Sequence, residues 1–167
     1  MDAPVLLSAP LVALFHAARA DAPASVPALL DAGGVRLLLD AARAPPLLPT
    51  VIVLLSAALT SPAHAARVGT GEALGVVTAA LGQCTARAEA RGTAAAEEDD
   101  VLECAHAAVG FLMVAAGNGA LAGGLVEAGA PALLCRALHA FVRPRRPTDA
   151  APRGNFQALQ VCVCGAV

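Results

Sequence analysis

Cysteine and histidine side chains are the groups in this chain best suited to metal binding. Cys104 and His106, and likewise Cys162 and Cys164, lie two residues apart. On a helix the members of such a pair point about 200° apart, so neither pair can close on one ion. The sequence also has no Cys-x-x-Cys and no His-x-x-x-His spacing. We therefore expect no metal site and no cofactor, and we interpret these cysteines as small buried hydrophobic residues.

Nucleophilic catalysis would need a cysteine or serine beside a positioned base. Cys84, Cys135, His64 and His139 lie in no recognisable catalytic motif. The glycine-rich segment 117–124 has no preceding strand and no following Gly-Lys-Ser/Thr, so we interpret it as a turn and not as a phosphate-binding loop. The sequence therefore predicts a protein that is not an enzyme.

Helices are the elements that must position any site in this chain. Hydrophobic residues make up 57% of the 167 residues and charged residues 14%, and small residues, above all the strong helix former alanine, supply most of the apolar excess. The apolar segments have helical length or periodicity, and no alternating strand pattern remains between turn signals. With no Trp or Tyr and only four Phe, the core must be built from Leu, Val and Ala. These features predict an all-α fold.

Charge and cysteine usage limit the partners and the compartment. The formal net charge of −2 leaves no overall field that would attract a polyanion, so we expect no nucleic-acid partner. Five cysteines, an odd number without regular spacing, do not indicate a disulfide framework, and a reducing cytoplasm is the simpler location. The basic segment Arg-Pro-Arg-Arg-Pro at 143–147 is a candidate import signal, which leaves a nuclear location open.

Two apolar stretches bear on export and on membranes. Residues 5–15 are an apolar run followed by Ala-Arg-Ala, which resembles a signal-peptide cleavage site. Against secretion, Asp2 stands where a positive charge is expected and Pro10 interrupts the run, so we expect secretion only if residues 1–20 are a signal peptide. Residues 47–59 are too few to cross a bilayer as a helix, which needs about 20 residues, and we expect no membrane span.

One short pattern occurs three times along the chain. Gly33, Gly71 and Gly129 are each followed by apolar residues five and six positions later. The first two glycines are about 40 residues apart, and the longer second gap contains an acidic, alanine-rich insert at 88–100. A helical period of about 40 residues is typical of a stacked solenoid, and the whole of 1–167 is interpreted as one such domain.

Each unit of this pattern is predicted to contain three helices. The first helix is short and ends at its glycine, as in Leu-Leu-Asp-Ala-Gly at 29–33 and Leu-Val-Glu-Ala-Gly at 125–129. The second helices are predicted over residues 35–43, 73–87 and 131–142. The third helices are predicted over residues 50–60, 101–116 and 156–167.

The repeat boundaries follow from these helices. Residues 1–20 are interpreted as the end of a preceding repeat, and the three repeats are assigned to 21–62, 63–117 and 118–167, the last one incomplete. Inserts separate the second and third helices of the last two repeats, an acidic one at 88–100 and a basic one at 143–155, and stacking predicts that they share one edge.

The ends of the chain carry a further expectation. The sequence stops inside the apolar segment 162–167, whereas a solenoid needs polar capping repeats to shield its terminal cores. We therefore expect an array truncated at both ends, with self-association through the uncapped ends.

The segment 107–118 and the segment 125–133 together resemble the armadillo repeat. That family has a long third helix, a Gly-Asn turn, a short helix ending in Glu-Ala-Gly, and then a second helix; this chain has Gly117-Asn118 and Glu127-Ala128-Gly129 in that order. The resemblance covers about the whole chain, strongly over 101–142 and weakly before residue 63. It implies a right-handed superhelix whose third helices line a concave binding groove, and HEAT repeats are the close alternative.

The resemblance also predicts which residues line the groove. Import-receptor members present a tryptophan and, four residues later, an asparagine that grip an extended basic peptide; the matching positions here are Val109 and Met113 in the second repeat, with Gln160 and Cys164 in the corresponding row of the last. The chain has no Trp. An importin-type ladder is therefore absent.

The function implied is a non-enzymatic scaffold for protein–protein interaction. Ala105, Val109 and Met113 would give apolar contact to a protein or peptide partner, with Gln157 and Gln160 as polar supports. The alternative is a regulatory or structural repeat segment of a larger multidomain protein, such as an enzyme subunit or an adaptor for a ubiquitin ligase or kinase, with no independent ligand.

Overall fold

All regular structure in the described part of the chain is helical. The computed structural model describes residue 16 and residues 20–69, 71–91 and 99–141. Within that part lie eight α-helices: α1 (Ala22–Asp31), α2 (Gly34–Ala41), α3 (Leu48–Leu59), α4 (Pro62–Val68), α5 (Gly71–Arg91), α6 (Asp99–Ala116), α7 (Ala122–Glu127) and α8 (Ala130–Phe141). Two single 3₁₀ turns, Pro45–Leu47 and Gly119–Leu121, precede α3 and α7. The predicted all-α class is confirmed for these residues.

One glycine turn joins α1 to α2, and another joins α7 to α8. Gly33 between α1 and α2 has a φ of 81°, and Gly129 between α7 and α8 has a φ of 70°. Glycine adopts this left-handed conformation without steric strain, so these two residues let one helix end and the next begin within a single turn. Gly71, the third glycine of the sequence pattern, instead begins α5.

Helix α5 is longer than the sequence pattern predicted. It begins at Gly71 and continues to Arg91, so residues 88–91 of the predicted acidic insert are helical. Alanine, glutamate and arginine favour helices and supply no stop signal there. Helix α6 begins at Asp99 with two acidic residues in its first turn, where they interact favourably with the helix dipole.

Some predicted elements lie outside the described residues. They are the end of a preceding repeat at 1–20, of which only residues 16 and 20 are described, the remainder of the acidic insert at 92–98, the basic insert at 143–155 and the third helix at 156–167. The predicted proximity of the two inserts therefore stays a prediction.

The helices pack in a regular order around one apolar core. Helix α3 lies along α6, and α5 lies between α6 and α8. Helix α1 packs against α2 and α3, while α7 packs against α6 and α8. The core contains mainly Leu, Val and Ala with two buried phenylalanines, Phe111 and Phe141. Each large side chain buried there contributes about 1.5 to 3 kcal/mol of hydrophobic stabilisation.

Polar contacts join helices that the sequence analysis predicts as second helices. Arg36 of α2 lies 3.4 Å from Glu72 of α5, and Arg136 of α8 lies 2.6 Å from Glu89 of α5. The Glu89 carboxylate accepts two hydrogen bonds from Arg136 and raises the pKa of that guanidinium. All four side chains are substantially exposed. Because exposed ion pairs add little stability, the apolar core must hold the helices together.

No single helix in the described ranges is long and apolar enough to cross a membrane. Two successive helical pairs reach the required length only in combination, Gly34–Ala41 with Pro45–Leu59 and Asp99–Ala116 with Gly119–Glu127, and they are bent by 120° and 104°.

Candidate functional site

A groove runs along the seam between α3 and α6. Its cavity has a volume of about 320 Å³. Helix α3 contributes Val53 and Ser56 to it, and α6 contributes a longer row. The α6 row consists of Glu103, His106, Ala107, Gly110 and Val114.

Helical spacing explains why these α6 residues share one face. Glu103, Ala107, Gly110 and Val114 are separated by three or four residues, which brings them to the same side of a helix. The opposite side carries the buried residues of α6. Burial of that side orients α6, and the orientation turns the row toward the groove.

The groove combines a polar end with a small and apolar stretch. Glu103 and His106 lie on adjacent turns of α6 and supply a carboxylate and an imidazole. Ser56 of α3 donates its hydroxyl proton to the Ile52 carbonyl at 2.8 Å, within its own helix. At Gly110 an added Cβ would meet no atom of the described residues within 4 Å. Among those residues, the groove therefore has open space over Gly110.

In the structure, the row of α6 residues that lines the groove is offset by one residue from the predicted row. Ala105 and Val109 have no exposed surface and lie in the core, so neither can contact a partner on the outside of α6. Gly110 and Val114 take the places that the sequence assigned to Val109 and Met113. One residue turns a helix by about 100°, which is enough to exchange a core position for a surface position.

The remaining predicted site residues have different outcomes. Met113 is 37% exposed on α6 but does not line the groove. Gln157 and Gln160 lie outside the described residues. Sequence reasoning missed Glu103 and His106, although the apolar periodicity of α6 carries the signal: these polar residues interrupt it on the side opposite to its buried stripe.

A second polar cluster joins α1 and α4. The Asp31 carboxylate lies 3.3 Å from Nε2 of His64 and 3.5 Å from Nη1 of Arg67. Arg67 also donates from Nη2 to the Leu30 carbonyl at 2.6 Å, which satisfies a backbone acceptor in the last turn of α1. Nδ1 of His64 is buried and has no hydrogen-bond partner among the residues that the structure describes. The cluster links two short helices, and we assign it a structural role.

The cysteines fall into two environments. Cys104 of α6 is buried, as expected for a small hydrophobic residue; Cys84 of α5 is also buried, whereas Cys135 of α8 is exposed. Cys162 and Cys164 lie outside the described residues. Among the residues that the structure describes, no group of three or more His, Cys, Asp or Glu side chains could hold a metal ion.

Comparisons with protein-family models, with curated proteins and with solved structures gave no significant match to this chain. The armadillo resemblance therefore stays a prediction from the sequence, and the groove between α3 and α6 is the feature from which function can be argued.

Proposed function

We propose that this chain is an armadillo-like interaction module that binds a protein or peptide segment in the groove between α3 and α6, without catalysing a reaction. The observation that carries the proposal is the groove itself. It lies between the two helices that the sequence assigned as third helices, and it has open space over Gly110.

The packing of equivalent helices supports the repeat assignment. The third helices α3 and α6 lie side by side, and so do the second helices α5 and α8. Asp31 of α1 contacts His64 and Arg67 of α4, which joins two first helices. A stack of three-helix units produces this set of like-to-like contacts, because each unit contacts mainly its neighbours.

The lining of the groove favours an extended partner with two kinds of side chain. Val53 and Val114 offer apolar contact beside the space over Gly110. Glu103 and His106 make the other end of the groove polar. We therefore propose a segment that pairs an apolar residue with a polar residue a short distance along the chain.

A glycine substitution tests the groove without disturbing the core. Because a Cβ at Gly110 meets no atom within 4 Å, Gly110→Arg fills the groove from its floor and adds positive charge. Gly75→Arg is the matched control, since Gly75 is also a helical glycine with no atom within 4 Å and lies exposed on α5.

The probe is a random peptide library panned against the full chain. We expect the selected peptides to be enriched in an apolar residue with a polar residue close to it. Fluorescence anisotropy of these peptides should show binding weakened at least tenfold by Gly110→Arg, a loss of about 1.4 kcal/mol, and unchanged by Gly75→Arg. If no peptide is selected, or if binding survives Gly110→Arg, the groove is not a binding site and the chain is better assigned as a structural or regulatory repeat segment.

A further inference from the structure

An apolar cavity lies between α6, α7 and α8, and we call it the α6–α8 cavity. Its volume is about 210 Å³. Its lining includes Leu112 and Ala116 of α6, Leu125 of α7, and Leu134 and Cys135 of α8. No charged side chain is found among the described residues that line it. Such a lining suits an apolar protein segment better than a small polar ligand.

Helix α8 has two apolar faces, and only one of them lies in the core. The first face contains Ala137, which has no exposed surface, and α8 packs with this side toward α5. The second face contains Pro131, Leu134, Cys135 and Leu138, which are three or four residues apart and are half-buried or exposed. Because a helix that is apolar on two sides is normally covered on both, the second face of α8 calls for a further neighbour.

The preceding pair of helices shows which element covers the corresponding face. Helix α6 packs along α5 and also along α3. Arg87 near the end of α5 and Asp100 near the start of α6 line one cavity, as they do when two successive helices run antiparallel. The element that follows α8 would occupy the corresponding place by packing along α8 and α6, where the α6–α8 cavity lies.

The segment 156–167 has the residue pattern of a helix with one apolar face. Phe156, Leu159, Val163 and Ala166 are separated by three or four residues and would share one side of a helix. The two glutamines of the segment lie outside this side. The pattern therefore matches an apolar cavity on one side and solvent on the other.

The connection is long enough for the segment to return along α8. The residues 142–155 number 14 and can span at most about 46 Å when extended. Helix α8 has 12 residues and is about 18 Å long. The chain can therefore reverse direction after α8 and reach any point of the cavity.

We propose that residues 156–167 dock as a helix in the α6–α8 cavity of the same chain, antiparallel to α8. In this arrangement Cys135 lies six residues before Phe141, the end of α8, and Cys162 lies six residues after Phe156. The two cysteines are therefore at the same level. Cys164 points about 200° away from Cys162 and faces solvent. The docking does not involve the groove between α3 and α6, so it is independent of the proposed binding function.

Cysteine pairs in the full chain test the docking. One variant, with Cys84→Ala, Cys104→Ala and Cys164→Ser, keeps Cys135 and Cys162. The matched variant has Cys162→Ser in place of Cys164→Ser and keeps Cys135 and Cys164. On oxidation with diamide, we expect the first variant to form a disulfide within one chain about tenfold faster or more, because only Cys162 faces Cys135.

The product should run as a monomer on a non-reducing gel, with a mass lower by two hydrogen atoms, and dithiothreitol should reverse the change. Far-UV circular dichroism confirms that both variants are folded. A disulfide between two chains would assign the cavity to a second copy of the chain and overturn the proposal. Equal rates in the two variants would also overturn it.

A double-mutant cycle tests the same contact without cysteine chemistry. Leu134→Ala and Leu159→Ala each remove one side of the contact, so each should lower the urea concentration at the midpoint of unfolding. Together they should lower it by clearly less than the sum of the two shifts, because the second substitution removes a contact that the first has already weakened. Leu134→Ala with Gln157→Ala is the control, and its shifts should add. Additive shifts for the two leucines would contradict the docking.

Discussion

Two glycines, Gly34 and Gly75, differ in what a methyl group would meet. A Cβ at Gly34 would clash with the Leu29 carbonyl and side chain, whereas a Cβ at Gly75 would meet no atom within 4 Å. Gly34 is thus required for the close approach of α2 to the end of α1. Gly75 lies inside α5, where glycine only weakens the helix.

These surroundings predict opposite effects of the same substitution. Gly34→Ala should lower the free energy of unfolding by about 1 to 3 kcal/mol, as overpacking does. Gly75→Ala should raise it by about 0.5 to 1 kcal/mol, because alanine is the better helix former. Urea denaturation followed by circular dichroism measures both, and equal effects at the two positions would contradict the tight packing at Gly34.

The groove shows how far a single residue can be predicted from the sequence. The armadillo resemblance predicts groove positions four residues apart on α6 and selects Val109, whereas in the structure Val109 is buried and the half-buried Gly110 lines the groove. Alignment to a family motif identifies which helix lines the groove and, approximately, which positions along that helix do so. The rotation of that helix depends on which stripe is buried, and here the buried stripe includes Ala105 and Val109.

Among the elements, α5 departs most from the sequence prediction. The sequence analysis assigns residues 88–91 to the acidic, alanine-rich insert between two helices, whereas in the structure they form the last turn of α5. The same composition is compatible with a helix end, and only contacts decide between the two. In the structure Ala88 is 3% exposed and belongs to the core, while Ala90 is exposed.

A pair of charge insertions tests the extra turn of α5. Ala88→Glu would bury an unpaired carboxylate and should lower the free energy of unfolding by at least about 2 kcal/mol. Ala90→Glu adds the same charge two residues later on the exposed face and should change it by no more than about 0.5 kcal/mol. Thermal or urea denaturation measures the difference. Indistinguishable variants would favour the loop that the sequence suggested.

At the scale of the whole molecule, local signals in the sequence predict the order of the helices, whereas their pairing follows only from the armadillo resemblance. Glycine positions and apolar periodicity gave the sequence of short and long helices, since these are local signals. The packing of α3 along α6 and of α5 along α8 depends on surfaces built from the same few residue types, Leu, Val and Ala. Because the helix surfaces consist of such similar residues, these surfaces give little information about which helices pack against each other.

The packing order predicts that stability is transmitted locally along the chain. Helices α1 and α2 pack with each other and with α3, whereas α8 packs with α5 and α7. If the units stack in one dimension, a cavity made at one end should loosen its own unit first and reach the other end only through α3, α5 and α6.

Matched leucine truncations at the two ends test this transmission by hydrogen exchange. Leu30→Ala in α1 and Leu125→Ala in α7 each remove a buried side chain and should cost about 2 to 5 kcal/mol locally. We expect Leu30→Ala to accelerate amide exchange in α1 and α2 by about tenfold or more and to leave α8 nearly unchanged, because the opening stays within one unit.

Leu125→Ala should produce the reverse pattern, so each variant is the control for the other. Mass spectrometry of peptides from α1, α2 and α8 measures the amide exchange at the two ends. Equal acceleration at both ends in both variants would show one cooperative globule and contradict a stack of units.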